Sequence, residues 1–258
     1  MTTPQGFCQL MLRTSAPEAA RRFYRAVLNV DSIDALGEVT ALPPPLRARG
    51  VPSHSLGHIG VRDLDAAATA ATATGATLLG PRQRHRDGYR WQIIRDPQGA
   101  IYALREPAPT SPGQAAAWQA LQTTDTEAAW RHYQGCYGWR AIGSHDIGSD
   151  IWPNNASNIA SGMGSSTEPD IGAIQTFAWR AGDAADGAML NSARLPGVHT
   201  HWLFFFQVDD LDRAIDTVRA HSGWAQDAPL RLPDGRRSIA CEDPQRAAFG
   251  LIEPPSGS

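Results

Sequence analysis

The chain repeats itself, and this repetition constrains the fold more than any other feature of the sequence. The segment HSLGHIGVRDLD, residues 54–65, aligns without a gap with HWLFFFQVDDLD, residues 201–212. The same offset of 147 residues places the DPQ motif at Asp96 on a second DPQ motif at Asp243. A register that holds over about fifty residues indicates an internal duplication.

A weaker repeat joins the segments that precede these two. EAARRFY at residues 18–24 is similar to EAAWRHY at residues 127–133, an offset of 109 residues. The chain is therefore made of four units, in the order A, B, A′ and B′. Unit B has an apolar run, an acidic cap at Asp63, a helix-forming stretch that ends at Gly75, and further apolar runs separated by turns. This pattern predicts a β-α-β-β-β unit.

Irregular segments mark the domain boundaries. The proline-rich stretch EPAPTSPGQ predicts a first domain over residues 1–107, a linker over 108–114 and a second domain over 115–258. Residues 144–175 are rich in Ser, Gly, Asn and Asp and interrupt unit A′, either as a lid or as a disordered insertion. In unit A, three prolines after Leu42 predict a truncated sheet edge, because proline cannot donate to a sheet ladder.

Composition excludes several classes of function. The net charge of −3 leaves no basic surface to attract nucleic acid or an anionic membrane. All 23 basic residues are arginine, so Schiff-base and phosphate-loop lysine chemistry are excluded. Cys8, Cys136 and Cys241 are too widely spaced to indicate disulfides or a cysteine zinc site. With no signal-peptide pattern and no apolar run near the roughly 20 residues of a membrane span, a cytoplasmic protein is predicted.

Three motifs are similar to those of a known family. They are the aromatic pair Phe23-Tyr24 after the first strand, VxDLD at the start of a helix, and DPxG before the last strand. With four β-α-β-β-β units, they resemble the vicinal oxygen chelate superfamily of glyoxalases, bleomycin-resistance proteins and extradiol dioxygenases. The resemblance covers nearly the whole chain. It implies an α+β fold in which tandem βαβββ units form two cupped mixed sheets, and a small-molecule ligand as the main partner, with a homodimer as an open alternative.

The resemblance also implies where a divalent metal would bind, and here the sequence departs from the family. Enzymes of the superfamily use His or Gln on first strands and Glu on last strands. The residues that match those positions are Gln9, Leu56, Ala103, Trp118, Leu203 and Gly250. Only Gln9 offers a donor atom, whereas a metal site needs several. The sequence therefore predicts no metal site and no cofactor, with a divalent metal as the open alternative.

Counted from the positions that the family resemblance implies, strand periodicity indicates the side chains that face each cup, because residues i, i+2 and i+4 share one face. Units A and B give a polar cup with candidate ligand-binding residues Gln9, Arg13 and Arg105 and candidate catalytic residues His58 and His54. Units A′ and B′ give an aromatic cup with candidate ligand-binding residues Trp118, Gln122, His201, Phe205 and Gln207. For the equivalent residues His54 and His201, a structural role at a strand start is the alternative. For Arg13 and Arg105, the alternative role is a salt bridge at the rim of the cup.

Three functions follow as hypotheses. The first is a metal-independent binding protein that holds an aromatic or anionic ligand, similar to the antibiotic-sequestering members of the superfamily. The second is a metal-free lyase or isomerase in which His58 or His54 moves protons while Arg13 and Arg105 stabilise negative charge. The third is a metal-dependent glyoxalase-like or dioxygenase-like enzyme that uses Gln9 with the histidines. Two guanidiniums in one cup also predict an anionic ligand and a lowered pKa for His58.

Overall fold

The chain folds into two mixed β-sheets with helices between them. A computed structural model describes residues 5–255, apart from 34–36, 109–115, 147–171, 181, 183 and 233. Over these residues the first sheet has six strands and the second has nine. No described helix combines the length and the hydropathy that crossing a membrane requires. The α+β class and the two-sheet architecture agree with the expectation from the repeat.

The first sheet uses residues up to Glu106. Its elements are β1 (Phe7–Thr14), α1 (Pro17–Leu28), β2 (Glu38–Ala41), α2 (Pro44–Ala48), β3 (His54–Gly60), α3 (Leu64–Ala73), β4 (Thr77–Arg84), β5 (Arg90–Arg95) and β6 (Ile101–Glu106). The strands are ordered β2-β1-β3-β6-β5-β4, with β1 antiparallel and β6 parallel to the central β3. Unit A contributes only β1 and β2, because its proline run begins the short helix α2 instead of a strand.

The second sheet begins at Trp118. Its elements are β7 (Trp118–Gln122), α4 (Thr126–Tyr137), β8 (Arg140–Asp146), β9 (Ala173–Ala178), β10 (Gly187–Leu190), β11 (His201–Gln207), α5 (Leu211–Ala220), β12 (Trp224–Ala225), β13 (Leu230–Arg231), β14 (Arg237–Glu242) and β15 (Ala248–Glu253). The strands are ordered β12-β14-β15-β11-β7-β10-β9-β8, and β13 pairs with β14. Strands β7, β11 and β15 take the places of β1, β3 and β6. Only the ends of the predicted 144–175 insertion are described, as parts of β8 and β9. Its centre lies outside the described residues.

The repeated acidic residues begin the helices. The Asp63 carboxylate accepts hydrogen bonds from the backbone N–H groups of Asp65 and Ala66, and Asp210 does the same for Arg213. The offset of 147 residues also aligns LREP at residues 104–107 with LIEP at residues 251–254, and the Glu of this LxEP motif completes each cap. Glu106 accepts from the backbone N–H of Leu64 at 3.1 Å, and Glu253 accepts from Leu211 at 3.0 Å. These two motifs therefore join the last strand of each unit to the first turn of its helix.

One hydrophobic core joins the two sheets. Phe7 of β1 packs edge-on against Phe204 of β11, with ring centroids 5.2 Å apart. Helix α1 follows a strand of the first sheet, yet its Phe23 and Tyr24 pack on Phe249 of the second sheet at 5.8 and 5.2 Å. Because the helical faces of both sheets are buried against each other, the opposite faces are left to form the two cups.

Candidate functional site: two cups of unequal content

The first cup is the face of the first sheet that carries Met11, Leu56 and Trp91. The β-ladder brings the predicted residues of this cup together. Gln9 of β1 is the register partner of His58 of β3, and Arg105 of β6 is the partner of Gly60, two residues beyond His58. Strand periodicity, counted from the positions that the family resemblance implies, therefore placed these polar residues on one face.

Aromatic rings from β5 and the turn before it fill this cup. The Arg13 guanidinium lies 5.3 Å from the centroid of Trp91, and the Arg105 guanidinium lies 4.0 Å from the centroid of Tyr89. The His58 ring stands 5.4 Å from Trp91, so cations and rings alternate across the face. Trp91 and Tyr89 are buried. The sequence interpretation considered only first and last strands and missed both rings, although Trp91 shows the same period-2 spacing.

His58 is enclosed at the centre of this stack. It is 0% exposed, and neither ring nitrogen has a hydrogen-bond partner among the described residues. Burial, followed by the charges of Arg13 and Arg105, lowers the pKa of His58 to about 3. The imidazole is therefore neutral near pH 7, as the sequence predicted from the two guanidiniums, and it is a weak base.

His54 and His201 make the same contact at the same position of their units. The His54 Nδ1 lies 2.9 Å from the carbonyl oxygen of Pro52, and the His201 Nδ1 lies 2.6 Å from that of His199. A carbonyl only accepts, so Nδ1 carries the proton in both rings and Nε2 keeps its lone pair. Burial lowers the pKa of both histidines. The repeated contact is consistent with the structural role at a strand start, and it leaves Nε2 of each ring available for another partner.

The donor set does not fit a divalent metal at the family's positions. In the first cup, Gln9 is the only side chain at these positions with a donor atom, and its Oε1 accepts a hydrogen bond from Arg105 at 2.5 Å. In the second cup, Trp118, Leu203 and Gly250 supply none. Over the described part of the chain, no group of three or more His, Cys, Asp and Glu residues is arranged to hold an ion. The departure from the family pattern therefore lies in the residue types at the metal positions, which lack the donor atoms that a divalent metal needs.

The second cup is the face of the second sheet that carries Trp118, Ala120, Leu203 and Phe205, and it contains a cavity of about 670 Å³. Its floor is apolar because β7 and β11 alternate. Alternate side chains of these two strands point to the helices. The remaining ones face the cavity and consist of two aromatic groups and two small or aliphatic groups. A volume of this size lies within the range of about 300–1,000 Å³ typical of small-molecule sites.

Polar groups stand at the two ends of this floor. At one end, Gln122 and His201 are register partners, and the Ser192 hydroxyl contacts the Gln122 amide oxygen. At the other end, the Arg236 guanidinium lies 4.2 Å from the centroid of Trp118. Gln122 lies four positions after Trp118 along β7, which corresponds to roughly 13 Å at about 3.3 Å per residue. The cavity therefore offers an apolar middle between two polar ends.

Arg236 is paired with a neighbour. Its Nη2 lies 2.6 Å from an oxygen of Asp234. Burial raises the pKa of Asp234, but the hydrogen bonds and charge of Arg236 outweigh it and lower the pKa overall. The carboxylate is therefore ionised near neutral pH and neutralises part of the Arg236 charge.

The five second-cup candidates do not all line the cavity. Trp118, Gln122, His201 and Phe205 line the cavity, whereas Gln207 is exposed at the end of β11 and is not among the lining residues. Arg236, Asp234 and Ser238 also line the cavity but were not singled out in the sequence. The repeat could have indicated Arg236 and Ser238, since the offset of 147 residues aligns Arg236 with Tyr89 and Ser238 with Trp91.

Two mixed sheets, joined through their helical faces and each with an opposite face that forms a cup, define the class as the cupped-sheet fold built from βαβββ units. The chain belongs to the glyoxalase, bleomycin resistance protein and dioxygenase superfamily, whose sequence profile matches residues 114–251. A profile of glyoxalase-like domains matches residues 9–104. The resemblance read from the repeated motifs is thereby confirmed for both halves of the chain.

Individual proteins show the same relationship. The chain is 26% identical over 235 residues to CFP32 of Mycobacterium tuberculosis, a protein with a provisional glyoxylase name. That match covers 89% of this chain and 79% of CFP32. The 2,3-dioxygenase LapB of Pseudomonas sp. KL28 is 14% identical, with a TM-score of 0.59 and coverage of 98% of this chain and 93% of LapB. The Mn(II)-bound glyoxalase of Novosphingobium aromaticivorans is 10% identical, with a TM-score of 0.58 and coverage of 98% and 83%. These two structures share the fold with this chain.

Proposed function

We propose that this chain is a cytosolic, metal-independent protein that binds a small, flat, largely aromatic molecule in the second cup. The observation that carries the proposal is the cavity of about 670 Å³ between Trp118 and Gln122. Apolar cavities of this size with a few polar groups are the usual form of small-molecule sites. The aromatic walls at Trp118 and Phe205 favour a planar ligand that stacks against them.

The polar groups of the second cup support an acidic substituent on the ligand. Arg236 is partly exposed, faces the cavity and retains donors besides those it gives to Asp234. At the far end, the Nε2 lone pair of His201 accepts a hydrogen bond from a ligand N–H or O–H group. A planar molecule with a carboxylate or phenolate at one end and a hydrogen-bond donor at the other fits both ends.

The content of the first cup supports the choice of the second as the ligand site. Tyr89 and Trp91 occupy the space over His58, and the side chains of Met11 and Leu56 are also buried. A molecule the size of the second cavity would have to displace these rings. The absence of suitable donors at the family's metal positions supports metal-independent binding.

A metal-free lyase or isomerase is the second candidate function. The observation that favours it is the position of His58 beside Arg13 and Arg105, the combination expected for proton transfer with charge stabilisation. The lowered pKa of His58 argues against it, because a base with a pKa of about 3 is far from the working pH. Recovery of a bound compound unchanged after prolonged incubation distinguishes binding from turnover.

Binding in the second cup is tested with two fluorescent probes, the anionic anilinonaphthalene sulfonate and the neutral N-phenylnaphthylamine. We expect saturable binding of at least one probe at one site per chain. Ala120 lines the cavity, so Ala120→Phe should weaken binding at least tenfold. The exposed helix residue Ala66 provides the matched control, and Ala66→Phe should bind as the native protein does.

Two results would overturn the proposal. One is the absence of saturable binding of either probe. The other is an Ala120→Phe protein that binds normally while its circular dichroism and melting temperature show a native fold. Metal analysis of the purified protein tests the metal-independent part separately. A stoichiometric transition metal that survives dialysis would contradict that part and leave the location of the ligand site unaffected.

A further inference from the structure

The first cup concentrates positive charge without a matching acid. Arg13 is only 7% exposed, and no described carboxylate lies within 4.0 Å of Arg13 or Arg105. Two acidic residues of the same sheet are engaged elsewhere, since Glu38 pairs with His85 and Glu106 pairs with Arg90. Two guanidiniums that share one low-dielectric face repel each other, and they do so more strongly than they would in water.

Several polar atoms in this cup are buried without a hydrogen-bond partner among the described residues. They are both ring nitrogens of His58 and the Nε of Arg105. Arginine only donates, and its one described acceptor here is the Gln9 amide oxygen. The groups that lack partners are therefore mainly donors, and no acceptor from the described residues reaches them. Buried polar groups in native proteins are nearly always satisfied, so an acceptor from outside the chain is expected.

We propose that the first cup holds a single small anion, a halide or the head of a carboxylate, between Arg13, Arg105 and His58. The neighbouring side chains set the size limit, because Leu56, Tyr89 and Trp91 are buried together in one hydrophobic cluster on this face. Gln9 and Arg105 are half-buried, so the anion enters from that side. This site is separate from the ligand cavity of the second cup and does not depend on it.

The anion has a structural consequence. It accepts from the guanidiniums and offsets their repulsion, so it binds the folded state and not the unfolded chain. Binding of this kind raises the melting temperature as the anion concentration rises. The effect should depend on Arg13, and it should persist when a surface arginine is removed.

The melting temperature is measured at constant ionic strength while sodium fluoride is replaced by chloride, bromide or acetate. We expect a rise of about 2–5 °C in the native protein, corresponding to one weakly bound anion. Arg13→Gln should abolish the rise. Arg22→Gln removes the same charge from an exposed helix position and should keep it. A rise with chloride and bromide relative to fluoride, with or without a rise with acetate, supports a halide site. A rise with acetate alone supports a carboxylate.

Crystals of the native protein grown in bromide provide a test that does not rely on a variant that folds. We expect one anomalous peak within hydrogen-bonding distance of the guanidiniums of Arg13 and Arg105. The proposal is overturned if the cup holds only ordered water while bromide occupies surface sites. It is also overturned if Arg13→Gln and Arg22→Gln respond identically to all four salts.

Discussion

Tyr133 of α4 donates a hydrogen bond of 2.9 Å to Oδ2 of Asp96, in the turn between β5 and β6 of the other half. The other oxygen of Asp96 accepts from the backbone N–H groups of Gln98 and Ala100 and holds that turn. The two motifs that the repeat analysis used as family signals, the aromatic pair and DPxG, therefore meet across the interface between the halves. The repeat also places Tyr24 near Asp243, but without the hydrogen bond that joins Tyr133 to Asp96. Burial, followed by the charge of Asp243, raises the pKa of Tyr24.

The Tyr133 hydroxyl should contribute more to stability than the equivalent hydroxyl of Tyr24. Tyr133 donates to Asp96 and accepts from the Trp202 indole N–H at 2.9 Å, whereas the Tyr24 hydroxyl has no described partner. We expect Tyr133→Phe to lower the free energy of unfolding by about 1–3 kcal/mol. Tyr24→Phe, the matched control, should cost less than about 1 kcal/mol. Urea denaturation checks both, and equal losses would contradict the pairing.

Two buried histidines should make the protein less stable in acid. Burial lowers the pKa of His132 to about 4, and burial with the arginine charges lowers that of His58 to about 3. An unfolded histidine titrates near pH 6.5, so below that pH the unfolded state binds protons that the folded state does not. Stability is therefore greatest above about pH 6.5 and falls toward pH 4, by about 1.4 kcal/mol per pH unit for each histidine.

The pH dependence is checked by urea denaturation at several pH values between 7 and 4. Removing His132 with His132→Gln should reduce the slope by about one proton. The exposed Gln134 of the same helix provides the control, and Gln134→Ala, which removes no titrating group, should leave the slope unchanged. A slope of zero in the native protein would show that neither histidine is held neutral by the fold.

Gly250 keeps the wall of the second cavity in place. A Cβ added at this position would lie 2.1 Å from Cδ1 of Phe205, so Gly250→Ala has to displace that ring. We expect the change to weaken binding of the neutral probe at least fivefold, because Phe205 lines the cavity. Gly135→Ala is the control, since nothing lies within 4 Å of a Cβ there. Tight binding by Gly250→Ala would show that the probe does not contact Phe205.

Arg236 and Asp234 should affect charged and neutral probes differently. Removing the guanidinium with Arg236→Gln should weaken the anionic probe by about 1.5–3 kcal/mol, the range for hydrogen bonds to charged groups. The neutral probe should change by less than about threefold. Asp234→Asn removes the partner that neutralises Arg236, so it should tighten the anionic probe. Titration of both probes against both variants checks this, and an equal loss for the two probes would assign Arg236 a purely structural role.

Much of the fold could be predicted from the sequence because the signals are local or repeated. Asp63 and Asp210 precede helices, and the structure shows both capping them. The alternation along β1 and β3 correctly placed Gln9, Arg13 and His58 on one face. The same alternation placed Gln207 in the second cup, but the cavity ends before that residue, because periodicity specifies a face and carries no information about how far a cavity extends.

The sequence by itself determined the duplication, the two sheets and the face on which each strand side chain lies, because a strand alternates with a period of two wherever it occurs. Only the tertiary structure decided which cup is filled and which is open. In the first half, Arg105 stacks on Tyr89. In the second half, Arg236 occupies the position equivalent to Tyr89 and stacks on Trp118 instead. Whether such groups fill a cup depends on the combined volume of side chains from strands that are far apart in the chain. A local sequence pattern carries no information about that combined volume.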